Sequence, residues 1–141
     1  RRHVVLTASS AVLEPGPRLV AYTASKHAVV GIGETLRIEL DPEGIDVSIL
    51  FPAGMATRHL ESSAAARPKE LGPSVVRDDD VQALMASSQV GPGVIVDASY
   101  AVRNLVTDVE RGERYIVTHG RYREQIVDRN MAILQAFDRQ A

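Results

Sequence analysis

The sequence contains no cysteine. That excludes a disulfide framework and cysteine-based zinc or redox motifs, and it fits a reducing compartment. Aromatic residues make up only 4% of the chain, too few for the stacking platforms on which single-stranded nucleic acids are held. There is no run of basic residues, and the formal net charge is -2, so nucleic acid and anionic membranes are poor partners. No stretch approaches the length of a membrane-spanning helix, and the opening Arg1-Arg2-His3-Val4-Val5-Leu6 is too short in its apolar part for a signal peptide. A cytoplasmic protein is expected. The chain has no initiator Met and opens almost directly on a strand.

What is present is the composition of one core-forming domain: 141 residues, 45% hydrophobic and 24% charged. Val4-Val5-Leu6-Thr7-Ala8 reads as a strand buried on both faces. Glu14-Pro15-Gly16-Pro17 forms a loop. A helix is predicted over 21–40, with Ala28, Ile32, Leu36 and Leu40 stacked at intervals of four, closed by Asp41-Pro42-Glu43-Gly44. A second strand over 45–51 completes a βαβ unit, which requires the two strands to be parallel. Residues 57–93 read as a long loop of mixed polarity, with Asp80 capping a short helix through Val81, Leu84 and Met85. Val94, Ala98, Ala101, Val102, Leu105, Val106 and Val109 form a helical stripe closed by Gly112. Tyr115-Ile116-Val117-Thr118 is a third strand. A last helix over 122–137 places Ile126, Ile133, Leu134 and Phe137 on its inner side. The alternation predicts an α/β fold with about three parallel strands flanked by helices. The first strand is too apolar for an open sheet edge, so something should lie beside it.

The chemistry concentrates in Ala21-Tyr22-Thr23-Ala24-Ser25-Lys26. Tyr22 and Lys26 are four residues apart at a helix start, so both side chains lie on one face. A free tyrosine, with a pKa of about 10, is a poor acid or base near neutrality. An ammonium nearby stabilises the phenolate and draws that value toward the working range. A hydroxyl from another element can then hold a substrate oxygen beside the phenol. Ser9, at the C-terminal end of the first strand where open α/β sheets place their ligands, is a candidate.

Residues 4–57 resemble the central part of the short-chain dehydrogenase/reductase family, which pairs a strand-end serine with Tyr-x-x-x-Lys, here Tyr22-Thr23-Ala24-Ser25-Lys26. The family's usual spacing favours Ser9 over neighbouring Ser10. The resemblance implies that Tyr22 is the general acid/base, that Ser9 orients a substrate carbonyl or alcohol, and that Lys26 assists Tyr22 and contacts the nicotinamide ribose. After the second strand the family has a Pro-Gly turn with a Thr five residues beyond the Pro. Here it reads Pro52-Ala53-Gly54-Met55-Ala56-Thr57, with Ala53 in place of the Gly, and Thr57 would bond the carboxamide. The tail, Glu113-Arg114-Tyr115-Ile116-Val117-Thr118-His119 followed by a helix, is similar to some members. The implied fold is the C-terminal half of a Rossmann-like, doubly wound domain, with residues 58–93 as its substrate loop. The implied cofactor is NAD or NADP, and the substrate a small carbonyl or secondary alcohol.

The family's glycine-rich phosphate turn has no counterpart: Gly31-Ile32-Gly33 lies inside a helix, and Gly91-Pro92-Gly93 follows no strand. Residues choosing between NAD and NADP would belong to that same missing half. A catalytically inactive, truncated module that pairs through its first strand or its helices is therefore the rival expectation. Gly31 and Gly33 each cost about 1 kcal/mol in a helix relative to Ala. Close helix–helix approach would compensate, and because this helix often lies at a subunit interface in the family, the resemblance implies a homodimer or homotetramer. His27 is expected in a surface or packing role, and His59 and His119 in or beside loops, with substrate contact the lesser alternative for His59. Asp78-Asp79-Asp80 has no companion ligands at metal-binding spacing and is expected to be a solvated helix start. Ser9 lacks the Gly-x-Ser-x-Gly surroundings of a hydrolase nucleophile.

Overall fold

A computed structural model describes residues 2–73, 75, 77–87 and 94–140, with Leu60 described through its backbone only. Strands β1 (Arg2–Thr7), β2 (Ile45–Phe51) and β3 (Tyr115–Val117) form a parallel sheet in the order β1-β2-β3. Helix α1 (Val20–Leu40) joins β1 to β2. Between β2 and β3 lie α2 (His59–Ala65), α3 (Asp78–Met85), α4 (Ala98–Ala101) and α5 (Leu105–Glu110), and α6 (Arg123–Asp138) follows β3. The expected α/β order and parallel sheet are what the chain adopts.

The centre of the molecule is β2. Val47, Ile49 and Phe51 fill one side, and Ile49, 1% exposed, packs with Ala8, Val12 and Phe51 and with Val29 and Val30 of α1. Burial of such aliphatic side chains stabilises by about 1.5–3 kcal/mol each. Gly44 ends the α1 region in the left-handed conformation at φ 63°, its N–H donating to the Asp41 carbonyl, and this swings the chain into β2. On the far edge, Tyr115 packs on Phe51 with ring centroids 6.0 Å apart and donates its hydroxyl proton to Glu34 Oε1 at 2.6 Å. Burial, helped by that carboxylate, raises the Tyr115 pKa above its ordinary value.

Several expectations need correction. β1 is not buried on both faces: Val5 is 39% exposed, and only β2 pairs with the strand among the described residues. The side of α1 turned to the sheet carries Val29, Val30 and Gly33, while Ile32 is 54% exposed. Gly33 sets this choice. A Cβ there would stand 2.7 Å from Ile49 Cγ1 and 3.1 Å from Leu6 Cδ1, so the glycine lets the helix seat directly on the strands. Within the chain, the close approach at Gly33 is helix to sheet, and Gly31 has nothing within 4 Å of an added Cβ.

The stripe from Val94 to Val109 is two short helices rather than one. Asp97 caps α4 by accepting the Ser99 N–H at 2.8 Å, and Val102 ends it. Asp80 does not cap α3: the helix begins at Asp78 after an extended Arg77, which puts all three aspartates in the first turn, where the helix dipole favours them. Residues 57–93 hold α2 as well as α3, and Gly91-Pro92-Gly93 lies outside the described residues. In α6 only Ile126 of the expected inner residues is half-buried, while Ile133, Leu134 and Phe137 are exposed. The helix is tied to the body nearer its start, where Arg129 Nη1 donates to the Val12 carbonyl at 2.7 Å.

Candidate active site

The parallel register of β1 and β2 continues past the strand ends. Ala8 N–H donates to the Leu50 carbonyl and Ser10 N–H to the Pro52 carbonyl, both at 2.8 Å. These bonds set the chain at 8–10 against the turn at 52–54, at the C-terminal ends of the strands. A cleft of about 460 Å³ opens there, with Ser9, Ser10, Tyr22, Lys26, Ala53 and Thr57 along it. Every residue singled out from the sequence as catalytic or cofactor-binding, Pro52 included, lines this one space.

Ser9 is extended, at φ -166° and ψ 155°, and begins the 3-10 turn Ser10–Val12. Its Oγ accepts the Ala11 N–H at 3.2 Å, which fixes the hydroxyl while leaving its own proton available. Both Ser9 and Ser10 are buried beneath the cleft surface. Tyr22 and Lys26 project from the first turns of α1. Lys26 Nζ donates to the Thr7 carbonyl at 3.2 Å and stands 5.9 Å from the Tyr22 ring centroid. The ammonium therefore bridges the helix start and the end of β1, beside the phenol. Ala53 is buried without a positive φ, and its N–H donates to Thr118 Oγ1 at 3.2 Å. The turn accepts an alanine there without strain.

Three apolar side chains, Leu19, Met55 and Leu84, complete the walls. Leu84 comes from α3, which an exposed Arg18–Asp80 ion pair at 3.1 Å links to the loop before α1. Arg18 adopts φ 64°, unusual for a residue with a side chain. His59, at the start of α2, meets the Tyr22 ring edge-on with centroids 6.4 Å apart. His27 stays on the exposed side of α1, its Nδ1 3.0 Å from the Thr23 carbonyl. The apolar wall and the partners of His119 were missed in the sequence, because no local pattern signals contacts made across 25 and 65 residues.

A different hydroxyl and imidazole meet away from the cleft. His3 Nε2 lies 2.8 Å from Ser48 Oγ, and His3 Nδ1 lies 4.0 Å from Asp46 Oδ2. Ser48 is fully buried and gives its proton to the Glu113 carbonyl at 2.5 Å. Despite its Ser-His-Asp composition, this cluster offers a substrate neither access nor a free hydroxyl proton.

The family model for short chain dehydrogenases matches residues 2–68, a span that includes Ser9, Tyr22, Lys26 and the turn at 52–57. The chain belongs to the short-chain dehydrogenase/reductase family. Its relatives include 11-beta-hydroxysteroid dehydrogenase 1A of Arabidopsis thaliana, 31% identical over 113 residues, which are 80% of this chain and 30% of that protein. Momilactone A synthase of Oryza sativa subsp. japonica is 35% identical over 88 residues, 62% of this chain and 28% of that protein. Among solved structures, a short-chain dehydrogenase/reductase from Burkholderia phymatum in complex with NAD superposes with a TM-score of 0.76 at 28% identity. That match covers 95% of this chain and 48% of the other. The chain thus spans about 30% of the length of the two named enzymes and about half of this structure. No helix among the described residues is long and apolar enough to cross a membrane.

Proposed function

We propose that this chain carries the reaction centre of a nicotinamide-dependent oxidoreductase that interconverts a small carbonyl compound and a secondary alcohol. The observation that carries the reading is the convergence of Ser9, Tyr22 and Lys26 on one cleft, with Lys26 held between Thr7 and the Tyr22 ring. The donor set suits the nicotinamide riboside end of NAD or NADP: an ammonium for ribose hydroxyls, and the Thr57 hydroxyl beside the turn for a carboxamide. Lys26 is the only Lys, Arg, Asp or Glu lining the cleft among the described residues, and the sequence has no glycine-rich phosphate turn. The donors therefore fit one end of the cofactor and offer nothing to its pyrophosphate.

When bound, the nicotinamide supplies hydride to the carbonyl carbon, or removes it from the alcohol carbon in the reverse direction. The chain's own residues handle the oxygen. Ser9 Oγ, already fixed by the Ala11 N–H, donates its proton in a hydrogen bond to the substrate oxygen and orients it. Tyr22 gives that oxygen its phenolic proton, and the neighbouring ammonium of Lys26 offsets the negative charge left behind. Positioned proton transfer of this kind contributes about 10²–10⁴-fold in rate. Leu19, Met55 and Leu84 hold the carbon skeleton and keep water out, and His59 and Leu84 are the described residues of the expected substrate loop that reach the cleft.

The test is cofactor binding by the full-length protein, followed by nicotinamide fluorescence. NADH or NADPH should bind, and Lys26→Met should weaken that binding at least about tenfold, the loss of a charge-assisted hydrogen bond. Failure of both cofactors to bind the unaltered protein would remove this reading. A second reading, a module that pairs through β1, is favoured by one observation: the strand's outer edge has no neighbour among the described residues while Val5 is exposed. Absence of cofactor binding together with a dimer lost on Val5→Lys would favour it.

A further inference from the structure

His119 follows β3 directly and touches two segments far from it in the chain. Its Nε2 lies 3.0 Å from the Gly54 carbonyl and 3.0 Å from the Val94 carbonyl, while its Nδ1 lies 2.9 Å from Thr118 Oγ1. Carbonyl oxygens only accept, so Nε2 carries the ring proton and shares it between the two. Thr118 Oγ1 already accepts the Ala53 N–H at 3.2 Å, which leaves its own proton for the bare Nδ1. Each donor then meets an acceptor in sequence: Ala53 N–H to Thr118, Thr118 O–H to His119, and His119 N–H to Gly54 and Val94.

The segments that this ring joins also pair with each other. Val96 N–H donates to the Gly54 carbonyl at 3.1 Å, Ala56 N–H donates to the Val96 carbonyl at 2.9 Å, and Met55 and Val96 form a parallel bridge. A Cβ at Gly54 would stand 3.0 Å from the Val94 carbonyl oxygen, so the two backbones lie about as close as a glycine permits. Two rungs make a short ladder, and such short pairings hold only with support from outside. The half-buried imidazole supplies that support from the end of β3.

We infer that His119 is a positioning residue: it clamps the turn at 52–57 against residues 94–96 and so fixes the wall of the cleft that carries Thr57. The consequence for cofactor binding rests on the nicotinamide reading given above, but the clamp itself does not. His119 touches neither substrate nor cofactor in this account. It acts through Gly54, Val94 and, by way of Thr118, Ala53.

The test uses the full-length protein with His119→Ala and His119→Gln, the latter able to return an amide N–H to about the position of Nε2. Hydrogen exchange at the Ala56 and Val96 amides, without any ligand, should accelerate by about tenfold in His119→Ala, the equivalent of one lost hydrogen bond, while Val47 and Ile49 exchange as before. NADH or NADPH should bind about tenfold more weakly, and His119→Gln should restore most of both properties. Unchanged exchange at Ala56 and Val96 would overturn the clamp. Exchange accelerated equally throughout β2 would also overturn it, since the residue would then be merely structural. Faster exchange with cofactor affinity intact would overturn the positioning role. If the unaltered protein binds neither cofactor yet the local exchange still responds, the clamp stands and the nicotinamide reading fails.

Discussion

Two hydroxyl-bearing clusters occupy one small sheet, and they differ in what their protons are free to do. Near the strand beginnings, His3, Ser48 and Asp46 have the composition of a nucleophile, a base and its partner. Ser48 is fully buried, however, and its proton belongs to the Glu113 carbonyl. At the other end, Ser9 has its lone pair engaged by Ala11 and its proton uncommitted, and it faces a cleft shared with Tyr22 and Lys26. Residue types alone would rank the first cluster as the more reactive. Access and the direction of each hydrogen bond reverse that ranking, and make Ser48 a structural tie between β1, β2 and the approach to β3.

Removing one hydroxyl at a time separates the two clusters most clearly. In the full-length protein, Ser9→Ala should lower kcat by about 10²–10³-fold, the loss typical of one donor to a reacting oxygen. Its melting temperature should change little, because the capped 3-10 turn is worth only about 1 kcal/mol. Ser48→Ala should do the opposite, leaving kcat unchanged and costing about 1–3 kcal/mol in denaturant unfolding, since His3 and the Glu113 carbonyl lose a buried partner. Equal effects of the two substitutions on kcat would erase the distinction.

The glycines of α1 give the next contrast. Gly33→Ala should destabilise by about 1–3 kcal/mol, because the new methyl would meet the packed Ile49 side chain at 2.7–2.8 Å. Gly31→Ala should stabilise by about 0.5–1 kcal/mol through helix propensity, with open space around it. Chemical denaturation of the two variants, side by side, checks the opposite signs.

Smallest are the pH effects at the two flanks. Hydrogen bonds from the Ser99 side chain and backbone hold the Asp97 carboxylate below its ordinary pKa. A depressed folded-state pKa contributes stability above the ordinary carboxylate range and loses it as pH falls through the lowered value. Protection of the α4 amides, relative to their intrinsic exchange rates, should therefore fall only in acid, and Asp97→Ala should remove that loss. Tyr115 has the reverse sign: its raised pKa contributes stability below the ordinary phenol value and loses it as pH rises through the higher one. Alkaline melting of β3 should be blunted in Tyr115→Phe.

The three parallel strands and α1 were legible in the sequence because they rest on local signals: β-branched runs, a long helical period, and Gly44 after Pro42. The meeting of Ser9, Tyr22 and Lys26 at one cleft was legible for the same reason, since Tyr22 and Lys26 share a helix face and Ser9 ends a strand. The buried face of α1 was not. Periodicity favoured Ile32, whereas the strands select Gly33, where the absence of a side chain permits the closest seat. Helix α2 escaped because His59-Leu60-Glu61-Ser62-Ser63-Ala64-Ala65 has only one large apolar side chain, too few to show a period. The break between α4 and α5 depends on the Asp97 cap and the turn after Val102, which a continuous apolar stripe conceals. His119 carried no local signal at all, because its partners are brought to it by the fold.

The most direct test of the central claim, that the cleft end of the sheet is where the chemistry happens, is steady-state turnover of Tyr22→Phe in the full-length protein. With a ketone that the unaltered protein reduces, kcat should fall by about 10²–10⁴-fold while NADH or NADPH binds as tightly as before. Turnover within a few-fold of the unaltered protein would contradict the account and move the proton donor away from Tyr22.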